Sequence, residues 1–179
     1  VNRFVYLVGE PGAGKSTLAS KTMDHVADCK HPNGFKYRIT NCDGLEVAAL
    51  GEERTPFSGT DTLSMSVSTR IKQSLETGWP ETVLFGEGDR LTNNKFFSHA
   101  KKHTDLKVVL LSTPRAVSNE RRISRAAEHE SAPQNVSWVQ GRITKLENLH
   151  DHITHVIQHA TLEEQAKELR DILHGISDS

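Results

Sequence analysis

Apolar positions along the chain fall into short continuous runs separated by stretches with helical spacing. The first run, Phe4-Val5-Tyr6-Leu7-Val8, lacks polar alternation and predicts a strand over 1–8 buried on both faces. Leu18, Met23 and Val26 predict a helix over 15–28, and Phe35 to Thr40 alternates as a second strand ending in Asn41-Cys42-Asp43-Gly44. Leu45 to Leu50 reads as one or two helical turns, and 51–61 as a long polar loop interrupted by Pro and Gly. Leu63, Val67, Ile71 and Leu75 predict a helix over 62–77, with Asp61 or Thr62 as its N-cap and Gly78 as its C-terminal cap.

The second half repeats the alternation. Strands are predicted over 81–85, 105–111 and 153–157, with a short helix over 93–102 between the first two. Helices are expected from Arg115 and over 135–150. Thr161-Leu162-Glu163-Glu164 is a capping-box start to a final amphipathic helix carrying Leu162, Ala166, Leu169 and Leu173, with Gly175 after it. The pattern predicts one α/β domain over 1–179, in three α/β/α layers around a five-stranded parallel sheet.

Composition changes this picture little. A chain of 179 residues, 35% hydrophobic and 25% charged, has the size and polarity of one ordinary domain. A formal charge of -1 supplies no bulk attraction to nucleic acid, although local basic clusters remain compatible with it. Cys29 and Cys42 are too few and too scattered for a disulfide framework or a zinc site, so both read as reduced thiols. No apolar run approaches the roughly 20 residues of a membrane span and no signal pattern precedes the first strand, so a cytoplasmic protein without a membrane partner is expected. His150, His152, His155 and His159 crowd one segment, but a strand would split them between its faces. They read as surface histidines.

The candidate chemistry begins at Gly9-Glu10-Pro11-Gly12-Ala13-Gly14-Lys15-Ser16-Thr17, which has the spacing G-x-x-x-x-G-K-[ST] between a predicted strand and a predicted helix. Glycines let successive backbone N–H groups turn inward on a polyphosphate, Lys15 reaches the outer phosphates, and Ser16 is placed to hold magnesium. This predicts a P-loop that takes ATP and Mg2+. An acidic residue after a later strand commonly serves the metal, and Glu87 and Asp89 compete for that role. Asp43, placed by the pattern just past the second strand, is a candidate base for an acceptor hydroxyl, or an N-cap for the turns after it. Arg121, Arg122 and Arg125 suggest a helical lid over about 115–150 that closes on the triphosphate.

No Asn/Thr-Lys-x-Asp guanine-reading motif is present, and the arrangement resembles the nucleoside and nucleotide kinases. Asn41-Cys42-Asp43 is similar to the turn of polynucleotide kinase whose aspartate accepts the proton of the attacking hydroxyl. Three further stretches, Phe57 to Met65, Phe85 to Leu91 and Trp138 to Arg142, resemble the phage-encoded 5-hydroxymethyluracil DNA kinases, which are related to thymidylate kinases. That resemblance implies transfer from ATP to a hydroxymethyl group within DNA, in the host cytoplasm. It implies that Arg121, Arg122 and Arg125 close over the phosphoryl group, and that Phe57, Gly59, Thr60, Asp61, Arg90 and Arg142 hold the acceptor. Phe57 or Trp138 would offer a stacking face to an extruded or single-stranded base. The alternatives are a deoxynucleoside monophosphate kinase acting on free nucleotide, and a P-loop ATPase or nucleotide switch.

Overall fold

The computed structural model describes residues 1–10, 12–53, 59–80, 82–112 and 136–176, apart from the side chains of 136–139 and Arg142. Its elements are β1 (Arg3–Val8), α1 (Lys15–Thr22), β2 (Asp24–Lys30), β3 (Lys36–Cys42), β4 (Leu45–Leu50), α2 (Val67–Thr77), β5 (Val83–Glu87), α3 (Asn94–His103), β6 (Asp105–Leu111), α4 (Val136–Glu147), β7 (Ile153–Ile157) and α5 (Leu162–His174). Single 3-10 turns occupy Thr60–Thr62 and His150–His152.

One seven-stranded sheet runs β2-β3-β4-β5-β1-β6-β7. The five strands from β4 to β7 in that order are parallel, and β2 and β3 extend the sheet as an antiparallel ribbon. Alternation in the strands divides the core. Val5, Leu7, Val47, Ala49, Phe85 and Val109 face α1 and α5, through Leu18, Ala19, Ala166, Leu169 and Leu173. Phe4, Tyr6, Ala48, Leu50, Leu84 and Val108 face α2 and α3, through Val67, Ile71, Leu75, Phe96, Phe97 and Ala100. Burying both faces explains why the parallel strands read as unbroken apolar runs. Among the described residues, no helix is long and apolar enough to cross a membrane.

The predicted three layers are present, but the sheet is mixed and seven-stranded rather than five-stranded and parallel, since β3 runs antiparallel and β2 and β4 add two strands, with these local differences. The first helix stops at Thr22 rather than 28, because Met23 is extended (φ -127, ψ 136) and ends the apolar stripe. Asp24 to Lys30 then pairs with β3 through a turn at His31–Gly34, leaving Val26 61% exposed on the edge strand rather than in the core. Leu45 to Leu50 is a strand, not helical turns. Asp43 (φ 49) and Gly44 (φ 87) are both left-handed, as a two-residue hairpin between antiparallel strands requires, and they return the chain between β3 and β5. The helix predicted from 62 begins at Val67 after Ser66, although Gly78 does cap its end.

Candidate active site

The site is built at the C-terminal end of the parallel strands. β1 delivers the chain into the loop that ends in α1, and Gly12 (φ 84) and Gly14 (φ 97) take left-handed backbone that side chains rarely adopt. Gly14, which brings no side chain of its own, is the N-cap of α1, and a helix start that follows a glycine loop is suited to hold an anion on its backbone N–H groups. The Lys15 ammonium folds over the loop, donating to the Gly9 carbonyl at 2.9 Å and the Glu10 carbonyl at 3.4 Å.

One strand over, β5 ends in Glu87, only 3% exposed. Ser16 Oγ donates to Glu87 Oε1 at 3.2 Å, bringing together the hydroxyl and one of the two candidate metal carboxylates. The other candidate, Asp89, faces α4 instead. Lys145 Nζ lies 3.6 Å from its carboxylate and donates to its carbonyl at 3.2 Å.

The loop before α2 closes over Glu87. Gly59 (φ 64) lies so near that a Cβ there would meet the Glu87 carbonyl oxygen and Oε1, each at 2.5 Å. Thr60 is fully buried and donates to the Glu87 carbonyl at 3.0 Å, while the buried Tyr6 hydroxyl lies 2.9 Å from Thr60 Oγ1 and 2.8 Å from the Gly88 carbonyl. Burial holds the Tyr6 phenol well above its ordinary range, so it stays protonated. Gly59 and Thr60 therefore brace the turn after β5 from within.

Asp61 is placed differently. Its Oδ1 accepts the N–H groups of Asp89 at 2.9 Å and Arg90 at 3.0 Å. Burial raises the carboxyl above its ordinary value, and those two N–H groups and the Lys15 charge only partly oppose the rise. A carboxylate within the field of the P-loop lysine, with its proton affinity raised, is suited to accept a proton. Arg90 Nη2 donates to the Asp61 carbonyl at 3.5 Å, whereas its buried Nε has no hydrogen-bond partner among the described residues.

A further cation comes from β3. Arg38 is 8% exposed, donates through Nε to the Gly51 carbonyl at 3.2 Å, and has Nη1 3.8 Å from Glu53. Burial lowers its pKa, while the charges of Glu53 and Glu87 oppose that. Neither Arg38 nor Lys145 was expected at the site. For Arg38 the sequence offered no signal, because it shares the polar alternation of β3 with Lys36 and Thr40, opposite Phe35, Tyr37 and Ile39.

Asp43 lies elsewhere. β4 rises from the Asp43-Gly44 hairpin toward the cradle, and six residues at about 3.3 Å each put Asp43 on the order of 20 Å away, at the opposite end of the parallel strands. It is exposed there, 3.8 Å from Arg170 Nε of α5. The likeness to the polynucleotide-kinase turn therefore does not carry over, because this turn joins antiparallel strands. Pro11, Phe57, Arg121, Arg122, Arg125 and the side chains of Trp138 and Arg142 lie outside the described residues.

Beside the cradle, a cavity of about 380 Å³ opens between the end of β6, the start of β7 and α4. Leu110, Ile143, Leu146 and Ile153 line it, with Glu10 and Ser112 at its polar side.

A family model described as P-loop Nucleotide Kinase3 matches residues 1–177. Among solved structures, the chain is similar to shikimate kinase from Acinetobacter baumannii in complex with shikimate, at 17% identity, with 98% of this chain and 94% of that chain covered and a TM-score of 0.48. No curated protein matches.

Proposed function

The chain belongs to the P-loop Nucleotide Kinase3 family, and we propose that it transfers the γ-phosphoryl group of ATP to a hydroxyl, the hydroxymethyl group of 5-hydroxymethyluracil in DNA. The observation that carries this is Asp61, a half-buried carboxylate anchored on the turn after β5 by the Asp89 and Arg90 N–H groups, with its proton affinity raised by burial in the field of Lys15. Transfer to an alcohol needs a proton acceptor near the attacking oxygen, whereas transfer to a phosphate needs cations and hardly any base.

The triphosphate rests on Gly9 to Thr17, with its base in the apolar cavity beside Glu10. Ser16 Oγ and Glu87, hard oxygen donors in contact, suit a magnesium ion that would neutralise charge on the transferring phosphates. Asp61 takes the acceptor's hydroxyl proton as that oxygen attacks the γ-phosphorus. The bond to the β-phosphate oxygen breaks, ADP leaves, and Lys15 stabilises the charge on the equatorial oxygens. Arg121, Arg122 and Arg125 close over the phosphoryl group, and Phe57 and Arg142 line the acceptor. A paired base cannot reach this depth while stacked, so an extruded or single-stranded nucleotide is required. The buried Nε of Arg90, unpartnered among the described residues, supports a contact to the acceptor's own phosphate.

The same Nε of Arg90 favours one second reading, a kinase of free deoxynucleoside monophosphates, since a guanidinium suits an isolated phosphate. Incubation with γ-labelled ATP separates these. Label retained on DNA containing 5-hydroxymethyluracil supports the proposal, and label found only on a free monophosphate supports the second reading. Phosphate released equally without any acceptor would make the chain a nucleotide switch.

A further inference from the structure

Glu76, at the end of α2, and His99 and His103, on α3, form a cluster that phosphoryl transfer does not use. The two histidines are four residues apart, so their rings leave one face of α3, with centroids 4.7 Å apart. The Glu76 carboxylate reaches across from α2, with Oε1 3.2 Å from His99 Nε2, which also lies 3.3 Å from the Lys72 carbonyl. One ligand atom from each of the three lies within 4.8 Å of the other two, and no other such trio of His, Cys, Asp and Glu occurs among the described residues. The crowded histidines of residues 150–159 do not form one.

We propose that Glu76, His99 and His103 bind a divalent transition-metal ion of the zinc class, fastening α3 to the end of α2. Ligand atoms around a tetrahedral ion lie about 3.3 Å apart, given bonds of about 2.0–2.1 Å, so small side-chain rotations close the cluster. The frame that carries the ligands is fixed. α2 buries Val67, Ile71, Ser74 and Leu75, and α3 buries Phe96, Phe97 and Ala100. Three protein ligands leave a fourth position for water. Two imidazoles favour zinc, cobalt, nickel or copper over magnesium or calcium. Both helices end where β5 and β6 begin, at the end of the sheet away from the cradle, which makes the ion a structural clamp.

The test uses the full chain stripped with a chelator and titrated with Co2+, followed by the visible absorption of histidine-bound cobalt and by thermal melting. One ion per chain, displaced by Zn2+ and indifferent to excess Mg2+, is expected, with a rise in Tm on binding. The double variant His99→Ala/His103→Ala should abolish the absorption and the rise in Tm. Glu76→Gln should weaken binding at least about tenfold, the loss of roughly one coordination contact. Kinase turnover should stay as in the parent chain, and the Tm of the double variant, whatever it loses with the His99 contacts, should be the same with and without added Co2+. Absence of cobalt binding, or binding that survives in the double variant, would overturn the proposal. Imidazole nitrogen shifts on adding Zn2+ to the unmutated chain provide a check without substitutions, and shifts confined to histidines other than His99 and His103 would overturn it equally.

Discussion

Replacing Asp61 by Asn keeps an oxygen to accept the Asp89 and Arg90 N–H groups but removes the charge that takes the proton. Turnover should fall by about two orders of magnitude, as for a lost general base, with ATP affinity nearly unchanged in an equilibrium binding measurement. Asp43→Asn should leave turnover at the parent value, since Asp43 faces Arg170 at the far end of the sheet. The pH profile carries the same signature. A base works only when ionised, so turnover should decline as pH falls through the Asp61 pKa, at a pH above that of an ordinary aspartate. Stability should move the other way. The fold favours the protonated carboxyl, so this group's contribution is fully present below its unfolded pKa and is lost as pH rises through the folded one. Lys15→Ala should lower transfer by at least about a hundredfold in the same assay, through loss of a charge aimed at the transferring phosphates.

At the scale of elements, local signals were legible and long-range ones were not. Thr161 caps α5 by accepting the Glu164 N–H at 3.2 Å, and Gly175 ends that helix in left-handed backbone, both as the sequence predicts. Thr161→Ala should therefore cost about 1 kcal/mol in denaturant unfolding. Leu45 to Leu50 misleads because Leu, Glu and Ala favour helices, while its burial between β3 and β5 overrides that preference. Asp43-Gly44 between apolar runs was the hairpin signal available there. Gly59 offers a sharper test of the loop over Glu87. Alanine would strain a φ of 64 and drive its Cβ against the Glu87 carbonyl and carboxylate, so Gly59→Ala should lose about 1–3 kcal/mol of stability and show a matching drop in Tm.

Across the whole molecule, the donor side was readable because one continuous segment makes it: strand, glycine loop and helix are consecutive. On the other side of the site, the sequence named Asp61 and Arg90, which the structure joins by hydrogen bonds, but not Arg38, because its place within the field of Glu87 depends on β3 joining the assembled sheet. Conversely, Asp43 looked like part of the site because β3 was read as one more parallel strand and neither β2 nor β4 was predicted, so the reversal that carries this turn to the other end was missing. The proposed function places the phosphate on a hydroxymethyl group within DNA rather than on a strand end. The most direct measurement uses γ-labelled ATP and a DNA strand with both ends blocked and a single internal 5-hydroxymethyluracil, followed by digestion to nucleosides under conditions that spare the modification. Label on the hydroxymethyl oxygen is the predicted result, and label that vanishes when the ends are blocked would contradict it.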